Sequence, residues 1–145
     1  MKMIKHIISL IVLTGCMISC TDNSIDNLHG TYSDIARYTY TSASAKPTTK
    51  LKKGIKQLNV TLSDASGNDA VFKFGSKEWT LASGTYTAVS SIVSNLDFGG
   101  TIGGKAISSG SIDVNAIDST YYFNGLLTLS DNSKVVINYK GKLSF

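Results

Sequence analysis

Short runs of alternating apolar and polar residues follow one another along this chain, each broken by Gly, Ser, Asn or Asp. Leu58-Asn59-Val60-Thr61-Leu62 puts three aliphatic side chains on one face of an extended segment and two polar ones on the other. Ile112 and Val114 flank Asp113 in the same way. The pattern predicts strands over Tyr32–Tyr40, Ile55–Leu62, Ala70–Phe74, Thr85–Val89, Phe98–Ile102, Ser111–Asn115, Tyr121–Leu129 and Val135–Tyr139, with a short further strand at Lys142–Phe145. Helix signals are weak. Only Ala88–Leu96 sets Val89, Ile92, Val93 and Leu96 at helical spacing, and its serines and asparagine dilute the pattern. Turn signals recur at roughly 8–12 residues, the rhythm of a sandwich or small barrel. The expectation is an all-β fold, an antiparallel β-sandwich of about eight strands, with a calycin-like β-barrel as the alternative.

Two internal echoes support paired hairpins. Leu62-Ser63-Asp64 precedes a Gly-containing loop and the strand Val71–Phe74; Leu129-Ser130-Asp131 precedes a shorter loop and the strand Val135–Tyr139. In each, an aspartate at the turn can accept from backbone amides two residues on. Ser83-Gly84 and Ser109-Gly110 likewise each open a strand.

The first two dozen residues break from this rhythm. Lys2 and Lys5 precede an apolar run from Ile7 to Ile18, and small residues then lead to a cysteine at 16 or 20. This is the layout of a secretory signal peptide, too short between its flanks for a transmembrane helix. A cysteine at the cleavage point resembles the lipobox of bacterial lipoproteins, whose thiol is acylated and becomes residue one of the mature chain. Leu13-Thr14-Gly15-Cys16 fits the lipobox more strictly, while cutting before Cys20 leaves an apolar core nearer the middle of the usual ~7–15 residues. Thr21-Asp22-Asn23 also resembles the Ser/Thr-Asp-rich start of many Bacteroidetes lipoproteins. Cys20 is the expected lipid anchor, Cys16 the alternative. The domains are then a signal peptide at 1–19, a polar tether at 20–30 and a single all-β domain at 31–145. Acylation at Cys20 leaves that domain without cysteine, so disulfides play no part in its stability.

Charge alters the picture little. The formal charge of +4 falls to +2 once Lys2 and Lys5 leave with the signal, and export argues against nucleic acid as a partner. Lys46, Lys50, Lys52, Lys53 and Lys56 cluster, which reads first as a solvated edge strand and second as a patch for anionic headgroups or glycans.

The search for chemistry yields mostly exclusions. The mature part retains one histidine, His29, with no cysteine or second histidine beside it, and no G-x-S-x-G elbow is present. Acidic residues are nearly all Asp in turn contexts, Glu78 being the one Glu, so backbone capping explains them better than a carboxylate pair. No enzyme and no cofactor is expected. Asp64, Ser66, Asn68 and Asp69 alternate oxygen side chains as calcium loops do, but without the bidentate Glu, and they equally make a hairpin loop. Trp79, Tyr86 and Tyr122 are the candidate ligand-binding aromatics, with Trp79 the leading sugar platform. Tyr121 and Phe123 fall on the opposite face of their strand from Tyr122.

Leu81-Ala82-Ser83-Gly84-Thr85-Tyr86, Ser109-Gly110-Ser111-Ile112-Asp113-Val114 and Tyr139-Lys140-Gly141-Lys142-Leu143 form a series of L-x-x-G-T-Y, S-G-S-hydrophobic-x-V and Y-x-G-x-L elements. In these the chain resembles a broad group of small all-β surface and outer-membrane lipoproteins of gut Bacteroidetes, largely without assigned activity. The resemblance implies a compartment, outer membrane or cell surface after Sec export, and a fold; it transfers no site residues. The expected function is a membrane-anchored, non-catalytic binding or adhesion module for a glycan or a partner protein. A calycin-type carrier of a small ligand and a structural subunit of a surface assembly are the rivals.

Overall fold

The structure is a computed structural model and describes residues 35–145. The expected signal peptide, Cys16, Cys20, the tether and the start of the Tyr32–Tyr40 strand lie outside the described residues. Nine strands form: β1 (Ile35–Thr39), β2 (Ser42–Lys50), β3 (Lys56–Ser63), β4 (Ala70–Ser76), β5 (Gly84–Ala88), β6 (Asp97–Ile102), β7 (Lys105–Ile117), β8 (Thr120–Leu129) and β9 (Lys134–Gly141). The fold is all-β, as the alternation predicts.

All nine strands belong to one sheet, in the order β1-β9-β8-β7-β5-β6-β4-β3-β2. Its ladders are antiparallel except β1–β9 and β5–β6. Only Tyr40 and Thr41 separate β1 from β2, so the two ends of the order are consecutive pieces of chain. Past β9 the chain returns to β2: the Ala45 N–H donates to the Ser144 carbonyl at 2.7 Å, and the Ser144 N–H to the Ala43 carbonyl at 3.1 Å. The sheet therefore curls as a half-barrel around a filled interior, and the segment after β9 bridges to its β2 edge.

Alternation decides what fills it. Leu58, Val60 and Leu62 on β3 are fully buried, while Gln57, Asn59 and Thr61 face outward. Phe74 is the hub, 4.9 Å centroid to centroid from Tyr86 edge-on, 5.6 Å from Phe98 stacked and 6.1 Å from Phe123. Phe72 and Tyr139 extend the cluster at 5.9 Å from Phe98 and Phe123 respectively. Offset and edge-on rings of this kind add to the gain from burial alone.

One local expectation is corrected. β2 is a strand although Ser42–Lys50 reads as polar, because two small residues, Ala43 and Ala45, carry its buried face. Pro47 sits beside the irregularity where the β2–β3 register shifts, a place that tolerates a missing N–H. Ala88–Leu96 forms no helix. Its chain leaves the sheet after β5 and returns through a turn in which the Asp97 carboxylate accepts from the Val93 and Ser94 N–H groups at 2.8 and 2.7 Å.

Candidate functional site

Trp79 is set by the turn that ends β4. Ser76, buried there, donates from Oγ to the Thr80 carbonyl at 2.7 Å and accepts the Glu78 N–H at 3.2 Å. Glu78 pairs with Lys56 at 3.1 Å, and the same Lys56 Nζ lies 5.4 Å from the centre of the Trp79 ring. Trp79 is 37% exposed, so a cation already occupies one of its faces and the ring is only partly open.

Tyr86, expected among the ligand-binding aromatics, lies in the core. It is fully buried against Phe74, and its hydroxyl donates to the Ala82 carbonyl at 2.9 Å. Burial pushes its phenol pKa up. The position lies on the inward side of β5, a parity that the Gly84-Thr85-Tyr86 motif alone does not disclose. Tyr122 does face outward on β8, half-buried, with Lys140 Nζ 5.3 Å from its ring centre. Trp79 and Tyr122 are not brought together, since β6, β5 and β7 stand between β4 and β8.

The proposed calcium loop is a self-contained turn. Asp64 Oδ1 accepts from the Ser66 and Asn68 N–H groups at 3.0 and 2.9 Å, and Oδ2 from the Ser66 hydroxyl at 2.7 Å. Those donors, the Ser66 hydroxyl foremost, hold the carboxyl below its usual pKa. These bonds account for the loop as a hairpin turn closed by its own aspartate. Among the described residues, no group of three or more His, Cys, Asp or Glu gathers to hold a metal ion. Asp131 repeats the motif, accepting from the Ser133 N–H at 3.1 Å and from Lys105 Nζ at 2.6 Å.

The lysine cluster spreads over one wall. Lys46 and Lys50 are exposed on β2, Lys53 lies in the 3-10 turn before β3, and Lys56 is taken by Glu78. On this wall a groove of about 680 Å³ opens between Lys73, Gln57 and Leu51 on one side and the Val89–Ile92 segment on the other, floored by Gly99 and Gly100. Glycine lets that segment lie close against the sheet. A Cβ at Gly75 would stand 2.1 Å from the Ser94 carbonyl oxygen and 2.8 Å from Ile92 Cγ2.

The opposite wall carries a different arrangement, which motif reading misses. Strand register places Thr39, Asn138, Asn124, Asp113 and Thr85 side by side on β1, β9, β8, β7 and β5. All five are exposed, on the side away from the core. The Thr85 hydroxyl donates to Asp113 Oδ1 at 2.6 Å. Toward one end of the strands lies Tyr122 between Asn115 and Lys140; toward the other, Leu126, 49% exposed, sits between Ser111 and Val136. The result is a polar row across five strands, edged by an aromatic ring and an aliphatic pair. Each residue alternates with a buried neighbour such as Phe123 or Ile137, so parity was legible; the register aligning the five was not.

No family model, curated protein or solved structure matches this chain.

Proposed function

We propose that this chain is a lipid-anchored, non-catalytic binding or adhesion module of the outer membrane or cell surface, meeting a glycan or a partner protein. The observation that carries the reading is the contrast between an interior occupied by packed rings and an open polar face on β5, β7, β8, β9 and β1. A carrier of small apolar ligands needs interior room where Phe72, Phe74, Phe98 and Phe123 now touch one another. The lipobox-like cysteines and the polar segment that follows support display from a membrane.

In a Gram-negative host the full chain should take up a palmitate analogue as wild type and as Cys16→Ala, and fail to do so as Cys20→Ala. Cells carrying it should adhere to a glycan- or protein-coated surface, and Tyr122→Ala or Asp113→Ala should weaken that adhesion. Adhesion indifferent to every substitution on this face overturns the reading.

A further inference from the structure

We infer that the ligand of this face is an uncharged polysaccharide chain laid across the strands, along the row Thr39, Asn138, Asn124, Asp113 and Thr85; the inference rests on the binding-module reading above. Three features of the row select that chemistry.

The first is its hydrogen-bonding groups. A primary amide offers N–H donors and a carbonyl acceptor from one planar group, which suits a pair of neighbouring hydroxyls. Asn124 and Asn138 are direct cross-strand partners, both exposed, and they present this pairing twice in succession. The repeat is the inter-strand spacing of about 4.8 Å, comparable with the length of one pyranose ring.

The second is length. Five positions span four such spacings, about 19 Å, which outruns any mono- or disaccharide and fits a chain. Tyr122 on one flank and Leu126 with Val136 on the other supply apolar surface for the C–H faces of the rings.

The third is charge. The row's one charged side chain is the Asp113 carboxylate, one of whose oxygens accepts from Thr85. The cations of this face, Lys140 beside Tyr122 and Arg37 beside Val136, stand on opposite flanks and leave no cation within the row. An acidic sugar or a phosphate laid on the row would meet that charge; a neutral hydroxyl would donate to it. A protein partner is disfavoured by the same layout. Protein interfaces centre on buried apolar anchors with a polar rim, and here the amides and the carboxylate hold the centre while the apolar groups lie at the margin.

The test is affinity electrophoresis of the detergent-solubilised full chain through gels containing neutral polysaccharides (β-glucan, xylan, galactomannan) or uronic-acid polymers (polygalacturonate, alginate). At least one neutral polymer should retard the wild type, and the acidic ones should not. Asn124→Thr with Asn138→Thr keeps the strand propensity and should weaken retardation by about tenfold, in the range of one or two lost hydrogen bonds, with an unchanged unfolding temperature. Trp79→Ala should retain full binding. Retardation confined to acidic polymers, or undiminished in the double variant, overturns the inference. Neutral-polymer binding that survives the double variant and is lost in Trp79→Ala leaves the module reading standing with its site elsewhere. No retardation by any polymer overturns the inference, and adhesion to protein-coated surfaces lost in Tyr122→Ala then keeps the module reading.

Discussion

The outer surfaces of β2–β3–β4–β6 and of β5–β7–β8–β9–β1 are built from the same alternating strands, yet they are finished in opposite ways. On the first wall the outward positions include Gly75, Gly99 and Lys73, and the Val89–Leu96 segment folds back over the glycines. On the second wall the outward positions include Asn, Asp, Thr and Tyr, and no segment among the described residues covers the row. The difference lies in Cβ. Where strands lack it, backbone from elsewhere can lie directly on the sheet; where they carry short polar side chains, the sheet stays open to other molecules.

The largest effect should come from the interior that both walls share. Phe74→Ala removes the ring that touches Tyr86, Phe98 and Phe123 and should cost about 3–5 kcal/mol in urea unfolding. Next, Gly75→Ala forces a methyl against the Ser94 carbonyl and should cost about 1–3 kcal/mol, whereas Asn124→Thr on the open wall should stay within about 0.5 kcal/mol. Equal costs at these two positions would erase the distinction between the walls.

Smaller effects separate the two cation–ring pairs. Trp79 is the chain's one tryptophan, so its emission reports on its own turn. Lys56→Ala should shift that emission to longer wavelength as water replaces the ammonium, and Lys140→Ala, which faces Tyr122, should leave it in place. The smallest effect is a pH dependence at the β8–β9 turn. Lys105 first, then Ser133, holds the Asp131 carboxyl well below the usual carboxylate range. Because its folded-state pKa is depressed, its contribution is present above the ordinary carboxylate value of about 4 and disappears as pH falls through the folded value. Asp131→Asn should therefore flatten the acid limb of a urea-midpoint profile below about pH 4; an identical profile would count against the pair.

Much of the fold was legible because burial here follows strict parity. Leu58, Val60, Leu62, Ile112 and Val114 announce both a strand and its inner face. β2 was hidden because alanine signals neither strand nor core, and its place depends on pairing with β3 and the bridge to Ser144. The site was less legible. Tyr86 and Tyr122 look alike as isolated aromatics, and only their neighbours tell them apart: exposed Thr85 and Thr87 flank Tyr86, and buried Phe123 follows Tyr122. The five-residue row is a product of register among segments up to about a hundred positions apart, which local pattern does not encode.

The seam between β2 and Ser144 carries a kinetic consequence. Ser44 and Ser144 lie a hundred positions apart, and β1 with β9 are nearly as distant. Contacts of such long range make a polypeptide fold slowly, because loop-closure entropy is spent before the pairing rewards it. As the chain elongates, β2, β3 and β4 can assemble early while the outer edge of β2 waits for a partner not yet made. Over that interval the edge is a template for another copy, and the exposed Lys46 and Lys50 on it act as gatekeepers against aggregation.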